Sequence, residues 1–260
     1  MKPKKSLGQN FLKDENILFD IAEEGKINNE DIVIEIGPGT GNLTKEILNR
    51  NPKKLIVIEK DKELSEMIEK KFGKSLHVIN NDFLNCYKDI SFENPVKVFG
   101  NLPYNISTKI LISLIKINNI SQVFKKFIFV FQKEVADRII AEKDDRNYGR
   151  LSILSSWKLE KKKIFDISPK KFYPIPKVWS SLVVLKPKLK CEKINKTKNL
   201  EHITNIFFNQ RRKMIKKPMK QLFMNYEKIG KELKLDLNLR PQNLPVEKYL
   251  EICQLYEELS

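Results

Sequence analysis

Strand-like and helix-like segments alternate five times within residues 14–141 of this chain of 260, and few folds accommodate that pattern. The strand candidates are short apolar runs rich in β-branched or aromatic residues: Asp31–Ile36, Leu55–Ile58, Leu76–Ile79, Val96–Gly100 and Phe127–Phe131. Continuous rather than alternating apolarity marks strands buried on both faces. Helical spacing of apolar residues predicts helices over Asp14–Glu24, ended by Gly25, and over Asn42–Arg50, Asp61–Phe72, Ser107–Ile117 and Lys133–Ala141. Such alternation specifies a doubly wound, Rossmann-like α/β sheet, whose ligands sit beyond the carboxyl ends of the strands. Gly37, Glu59, Asp82 and Asn101 stand just beyond the ends of strands one to four.

After Gly149 the alternation stops. A helix over Leu151–Trp157 leads into two strands, Lys158–Ile167 and Val178–Leu185, with no helix between them, as expected of an antiparallel pair closing the sheet. From Asn199 the pattern is helical, with segments over Leu200–Phe208, Arg212–Met224, Lys228–Leu233 and Pro245–Leu259. Lys and Pro dominate the stretch between Lys186 and Lys198, which places a domain boundary there. The reading is a catalytic domain over 1–190 and a small all-α domain over 191–260.

The formal net charge of +16 points to a polyanion, most often nucleic acid. AT-rich coding would also enrich Lys, Ile and Asn, so distribution has to decide. From Lys186 to Ser260 there are 17 Lys and Arg against 9 Asp and Glu, so the last 75 residues hold half the excess. Concentration of that kind favours a binding surface, and Arg211, Arg212 and Lys213, followed by Lys216 and Lys217, are the candidate phosphate contacts. The plainer alternative is a solvated helical face. Cys86, Cys191 and Cys253 are scattered and only His77 and His202 occur, so no metal site is expected and a reducing, cytoplasmic location is. No apolar core follows the basic first residues and no run reaches membrane-spanning length, so neither secretion nor membrane insertion is expected. Nothing marks an obligate interface, and a monomer is expected.

The glycine-rich turn after the first strand suggests a nucleotide cofactor. A dinucleotide fingerprint would place its third glycine at position 42, where Asn42 stands; here Gly37, Gly39 and Gly41 alternate instead. Alternating glycines let backbone approach a small cofactor without phosphates. Glu59 lies where ribose hydroxyls would be held, and Asp82 could accept from an adenine amino group, a set that suits S-adenosylmethionine better than NAD. Each residue has a plainer alternative: Glu59 as a strand-end charge paired with Lys60 or Lys62, Asp82 as a helix N-cap.

Asn101-Leu102-Pro103-Tyr104 carries the chemistry. An exocyclic amine on a base is a poor nucleophile because its lone pair is delocalised into the ring. An amide oxygen and a backbone carbonyl accepting from that NH2 would localise the pair. Proline stiffens the turn, and tyrosine offers a face for an extruded base. Ordinary turn chemistry with an adjacent packing residue is the alternative. No cysteine lies near Asn101, which argues against methylation at a pyrimidine carbon, a reaction that needs a covalent nucleophile.

Over nearly its whole length the chain resembles the ribosomal RNA adenine dimethyltransferases, and within them the bacterial small-subunit enzymes. Ser6–Leu12 resembles the family's amino-terminal cofactor-lid motif, Glu35–Gly41 its glycine loop, Glu59–Asp61 its ribose-binding end, Asn81–Phe83 its adenine-binding end and Val98–Ser107 its catalytic segment. Phe172–Val178 and Phe208–Lys213 also match family signatures. The resemblance implies the fold of a class I S-adenosylmethionine-dependent methyltransferase, with Asn10, Leu12, Gly37, Glu59, Asp82 and Asn101 contacting the cofactor. Asn101, Leu102, Pro103 and Tyr104 would hold the target adenine; mechanistically, we expect the extruded adenine to stack on Tyr104, with Phe172 as a second face. The resemblance further implies dimethylation of two adjacent adenosines near the 3′ end of 16S rRNA in the small ribosomal subunit, as part of ribosome biogenesis. Two departures stand out: Trp179 where the family usually has Asp before Ser180, and Met214 and Lys216 where it usually has Thr and Arg. The rivals are a large-subunit (23S) adenine methyltransferase of the macrolide-resistance type and a non-catalytic assembly or transcription factor. Ser6–Leu12, Asn209–Lys213 and Arg240–Pro245 favour the small-subunit enzyme; Glu59, Asp82 and Asn101–Tyr104 favour catalysis.

Overall fold

The computed structural model describes residues 3, 4, 7–87 and 95–259; Ser6, the first residue of the amino-terminal motif, and most of the basic lead-in lie outside them. The described residues pack as two compact units: those up to Ala136 with Lys161–Pro187, and Asp137–Glu160 with Lys188 onward. The second unit thus takes in residues 137–160, which the alternation in the sequence assigns to the first.

In chain order the elements begin with β1 (Phe11–Leu12), α1 (Glu15–Glu24), β2 (Ile32–Ile36), α2 (Asn42–Leu48), β3 (Lys54–Glu59) and α3 (Lys62–Phe72). There follow β4 (His77–Asn80), α4 (Phe83–Cys86), β5 (Val96–Asn101), α5 (Ser107–Ile115), α6 (Ile120–Val123), β6 (Phe124–Gln132) and α7 (Lys133–Ile140). Next come α8 (Arg150–Lys158), β7 (Leu159–Ile167), β8 (Phe172–Tyr173) and β9 (Ser180–Pro187). The chain closes with α9 (Thr197–Asn209), α10 (Lys216–Leu222), α11 (Tyr226–Glu232) and α12 (Val246–Leu259).

The first unit holds a seven-stranded sheet in the order β4-β3-β2-β5-β6-β9-β7. Strands β2 to β6 are parallel neighbours, and β9 runs antiparallel to β6. The central residues of β2, β3, β5 and β6 are buried almost completely, as the continuous apolar runs require: Val33, Val57, Val98, Phe99 and Phe127 through Phe131; β4, at the sheet edge, departs from that expectation, with Val78 and Ile79 only half-buried. From β2 the chain winds outward to β3 and β4, then returns to lay β5 against the other side of β2. That reversal is the topological switch point, and it sets the loop after Ile36 beside the loop after Asn101. At the opposite, amino ends of the same two strands sits a buried ion pair, Lys97 Nζ to Asp31 Oδ2 at 2.5 Å. Lys97 also donates to the Lys26 carbonyl at 2.6 Å, and Lys125 approaches Asp31 Oδ1 at 3.0 Å from the exposed side. A second, two-stranded sheet pairs β1 with β8, Leu12 opposite Phe172.

The second unit is helical and closes on aromatics. Phe207 meets Tyr249 edge-on with ring centroids 5.2 Å apart, and both phenols buried here donate to carbonyls, Tyr249 to Pro241 at 2.7 Å and Tyr148 to Leu244 at 3.0 Å. The Glu257 carboxylate accepts from the Asn195 and Lys196 backbone N–H groups, at 2.7 and 2.8 Å, and so holds the entrance to α9. These bonds, with Asn199 and Lys196 beside it, outweigh the effect of partial burial and keep the carboxyl below its usual pKa. Burial pushes the Cys253 thiol up to about 12, with the Glu257 charge adding to it, so this cysteine stays a neutral packing group.

Candidate active site

The carboxyl ends of β2, β3, β4 and β5 open onto a single cleft, lined among others by Asn10, Leu12, Gly37, Gly39, Glu59, Asp82, Asn101, Leu102, Pro103 and Tyr104. Eight of these ten residues share one cavity because parallel strands all deliver their ends to the same side; Asn10 and Leu12 reach it from the amino-terminal segment.

The three glycines of the first loop all adopt positive φ, and their surroundings differ. Gly37 adopts φ +67°, donates its N–H to the Ile58 carbonyl at 2.9 Å, and has no atom within 4 Å of the place a Cβ would occupy; it faces open cleft. Gly39, at φ +56°, lies against the Phe11 ring, 2.8 Å from a would-be Cβ. Gly41 lies against Ile68 and Phe72 of α3. Close backbone approach to a ligand therefore belongs to Gly37, whereas Gly39 and Gly41 are set by packing.

Glu59 is 7 % exposed and is not paired with Lys60 or Lys62. Its carboxylate accepts from the Gly39 N–H at 3.2 Å and the Asp61 N–H at 2.8 Å. Burial raises its pKa, against the pull of those N–H groups, so hydroxyl donors arriving in the cleft would stabilise its ionised form. Asp82 does two jobs at once. It caps α4, with Oδ1 accepting from the Leu84 N–H at 3.0 Å, and it lines the cleft with Oδ2 held by Lys60 at 2.9 Å. Partial burial opposes ionisation, but Lys60 and the Leu84 N–H outweigh it and lower the pKa.

Glu35 is a lining residue that sequence reasoning passed over. It stands inside the first apolar strand, 1 % exposed, and accepts from Thr44 Oγ1 at 2.7 Å. Burial pushes it up to about 8, the Thr44 bond opposing and the Glu59 charge assisting, so it is mostly protonated at neutral pH. A carboxyl residue one place from the end of an otherwise apolar strand was the available signal.

Asn101 ends β5. Its Nδ2 donates to the Asn10 carbonyl at 2.8 Å, which fixes the amide and leaves Oδ1 without a partner among the described residues. Asn10 is itself held through Nδ2 to the Gly8 carbonyl at 3.2 Å, and the Leu12 carbonyl accepts from Asn42 at 2.9 Å. Asp61, at the start of α3, anchors the same amino-terminal segment by accepting from Lys4 at 2.8 Å and Gln9 at 3.0 Å. The Pro103 carbonyl accepts from Ile106 and Ser107, at 3.1 and 2.9 Å, and starts α5. Tyr104 is half-buried, and its hydroxyl meets Ser180 Oγ at 2.6 Å, which pins the ring at its outer end. Burial raises the phenol pKa, so it remains neutral.

Two expectations need correction. Phe172 does not face the cleft: it is 2 % exposed, paired with Leu12 and packed in the core with Leu18 and Leu182. It cannot present a stacking face there without leaving that core. In the second unit the helix expected over Arg212–Met224 spans only Lys216–Leu222, so the basic segment is not helical. Arg211–Lys213 lie in the turn between α9 and α10, and the half-buried Arg211 spends its guanidinium on the carbonyls of Arg146 and Asp145 and on Gln242 Oε1 at 3.2 Å. Arg212 and Lys213 are exposed, while Lys216 is 3.5 Å from Glu227. Among the described residues no group of His, Cys, Asp and Glu is arranged to hold a metal ion, and no helix is long and apolar enough to cross a membrane.

The profile of the family "Ribosomal RNA adenine dimethylase" matches residues 1–258. The chain is 50 % identical to the "Ribosomal RNA small subunit methyltransferase A" of Pelagibacter ubique (strain HTCC1062), over 100 % of this chain and 98 % of that protein. It is 42 % identical to the protein of the same name from Wolbachia sp. subsp. Drosophila simulans (strain wRi), over 96 % and 92 % of the two chains. Among solved structures, a dimethyladenosine transferase from Plasmodium falciparum superposes with a TM-score of 0.77 at 27 % identity, covering 95 % of this chain and 98 % of that one. The 23S rRNA methyltransferase ErmE superposes at 0.69 with 22 % identity, covering 96 % and 99 %, a likeness of fold.

Proposed function

The chain belongs to the ribosomal RNA adenine dimethylase family, and from that premise we propose that it dimethylates the 6-amino groups of two adjacent adenosines near the 3′ end of 16S rRNA in the small ribosomal subunit, using S-adenosyl-L-methionine. The observation that carries the chemistry is the fixed amide of Asn101: its Nδ2 is committed to the Asn10 carbonyl, so its Oδ1 is the atom left to accept from an amine in the cleft.

The cleft suits this cofactor better than a dinucleotide. Three carboxyl groups, Glu35, Glu59 and Asp82, line it against Lys60, whose ammonium is already held by Asp82. Glu35 is held neutral by burial, so it is the Glu59 and Asp82 carboxylates that disfavour pyrophosphate and accommodate a cation with free hydroxyls. Glu59 would take the ribose hydroxyls, Asp82 the adenine end, and the open face of Gly37 would admit the chain between them. S-Adenosylmethionine supplies an electrophilic methyl group on a sulfonium.

The remaining steps belong to the protein. Tyr104, pinned through Ser180, receives the ring of an extruded adenine. The adenine NH2 donates to Asn101 Oδ1 and to the Leu102 carbonyl, which localises the nitrogen lone pair toward the methyl carbon. With the cofactor bound, the nitrogen would take its methyl group, the bonding pair leaving with sulfur, and the cationic amine would give its proton to water. Leu102, 1 % exposed, and the β1 segment keep solvent out of the cleft wall. A second round repeats the sequence on the monomethylated amine, which still carries one hydrogen for the amide oxygen.

The choice of small over large subunit follows the relatives that are 50 % and 42 % identical over nearly their whole length, rather than the fold, which the large-subunit enzyme shares. Incubation with methyl-labelled cofactor and undermethylated 30S or 50S subunits tests it. Label in 16S adenosines is expected; label confined to 23S rRNA would overturn the assignment.

A further inference from the structure

Four of the nine large hydrophobic side chains that are exposed among the described residues crowd into one short stretch: Tyr173, Ile175, Val178 and Trp179. Scattered apolar exposure needs no explanation, but a cluster on one loop marks a contact surface. The loop is stiff, with prolines at 174 and 176. It is also tied at both ends. Tyr173 lies opposite Phe11 in the small sheet, and the Trp179 carbonyl accepts from the Lys133 N–H at 2.8 Å. The next residue, Ser180, is the one whose hydroxyl meets Tyr104 at 2.6 Å. Trp179 therefore projects about 50 % exposed from backbone fixed one residue away from the group that pins the base-receiving ring.

Charge selects the occupant. No Asp or Glu occurs from Ile167 through Ser180, a stretch that carries Lys170, Lys171 and Lys177, of which Lys171 is paired with Asp14. Lys170 and Lys177 are exposed without an ion pair among the described residues, and Lys13 Nζ sits 4.2 Å from the centre of the Tyr173 ring. Aromatic faces interleaved with lysines are the composition that binds unpaired nucleic acid, bases stacking on rings and phosphates meeting cations.

We propose that Tyr173 and Trp179 form a stacking rim for the unpaired nucleotides that flank the adenosine being methylated. The proposal rests on the reading of this chain as an enzyme acting on RNA, and assigns the rim a role in holding the strand rather than in methyl transfer.

The chain has two tryptophans, and Trp157 is buried, so emission lost in the wild type but not in Trp179→Phe belongs to Trp179. The probes are an unstructured 12-nucleotide RNA and a duplex of the same length. Single-stranded RNA is expected to quench Trp179, and Trp179→Ala to bind it about tenfold more weakly, with Trp179→Phe retaining most of the affinity and Tyr173→Ala losing a similar factor. Cofactor affinity and thermal stability should not change in these variants. Equal affinity of wild type and Trp179→Ala for the single strand, or equal quenching by the duplex, would overturn the rim. So would self-association that Trp179→Ala abolishes, which would make the patch an interface between copies. Binding and quenching are read without methyl transfer, so quenching with no labelled 16S rRNA would sink the proposed function and leave the rim standing.

Discussion

Replacing Asp31 by alanine removes the carboxylate that neutralises Lys97, whose side chain is 5 % exposed between β2 and β5. The ammonium would keep only the neutral Lys26 carbonyl. Breaking a buried pair from one side costs about 3–5 kcal/mol, because the remaining charge stays desolvated. Native-state hydrogen exchange at the amides of Val33 and Val98 reads this within the first unit, and the penalty corresponds to roughly a hundred- to several-thousandfold faster exchange if those amides open globally. Adding Lys97→Met should recover most of the loss, since an apolar side chain of similar length needs no partner. Asp31 has a lowered pKa: burial alone would raise it, but Lys97, the Asn28 N–H and Lys125 outweigh burial. Its contribution is therefore present above its ordinary value of 3.8 and is lost as pH falls through the lower folded value, so the gap between wild type and variant should narrow below about pH 4. The pair lies about 20 Å from Gly37 along a strand rising 3.3 Å per residue, and methyl transfer by the folded variant should be unchanged. A single-variant cost under about 1 kcal/mol, or a double variant no better than the single, would refute this reasoning.

The same logic with opposite sign applies to Glu35. Its folded pKa is raised to about 8 from 4.5, so the folded state loses stability as pH rises between those values, and Glu35→Gln, which keeps the Thr44 bond, should flatten the pH dependence of thermal unfolding between pH 6 and 8.5. An unchanged slope would contradict it. Tyr104→Phe keeps the ring and loses the Ser180 bond, so single-turnover methyl transfer should fall a few fold, whereas Tyr104→Ala should lose about a hundredfold through loss of the stacking face. Arg212→Ala and Lys213→Ala should weaken RNA binding and each reduce the salt slope by about one, while Arg211→Ala should chiefly lower the thermal stability of the second unit.

The five parallel strands were legible because β-branched runs bounded by turns have few other uses, and Val96–Gly100 leading straight into Asn101 placed the site with them. β1 and β8 were not, since two residues are too few to show a period. Phe172 and Tyr173 stand side by side before a proline, and only the pairing with Leu12 reveals that the first is core and the second exposed. Arg211 read as a phosphate ligand because the carbonyls that hold it, at Asp145 and Arg146, lie some 65 residues earlier in the chain. Glu35 escaped because the apolar run around it reads as packing. Residues 137–160 carry ordinary helical spacing, which says nothing about which unit they join.

The central claim is that the free oxygen of Asn101 makes an adenine amine nucleophilic. Asn101→Ala, assayed in single turnover with labelled S-adenosylmethionine and unmodified 30S subunits, tests it, with cofactor affinity measured in parallel by titration. The account predicts a fall of about a hundredfold or more in the transfer rate, as for loss of one preorganised acceptor, with 30S subunits still bound. Transfer to 16S rRNA at close to the wild-type rate would contradict it.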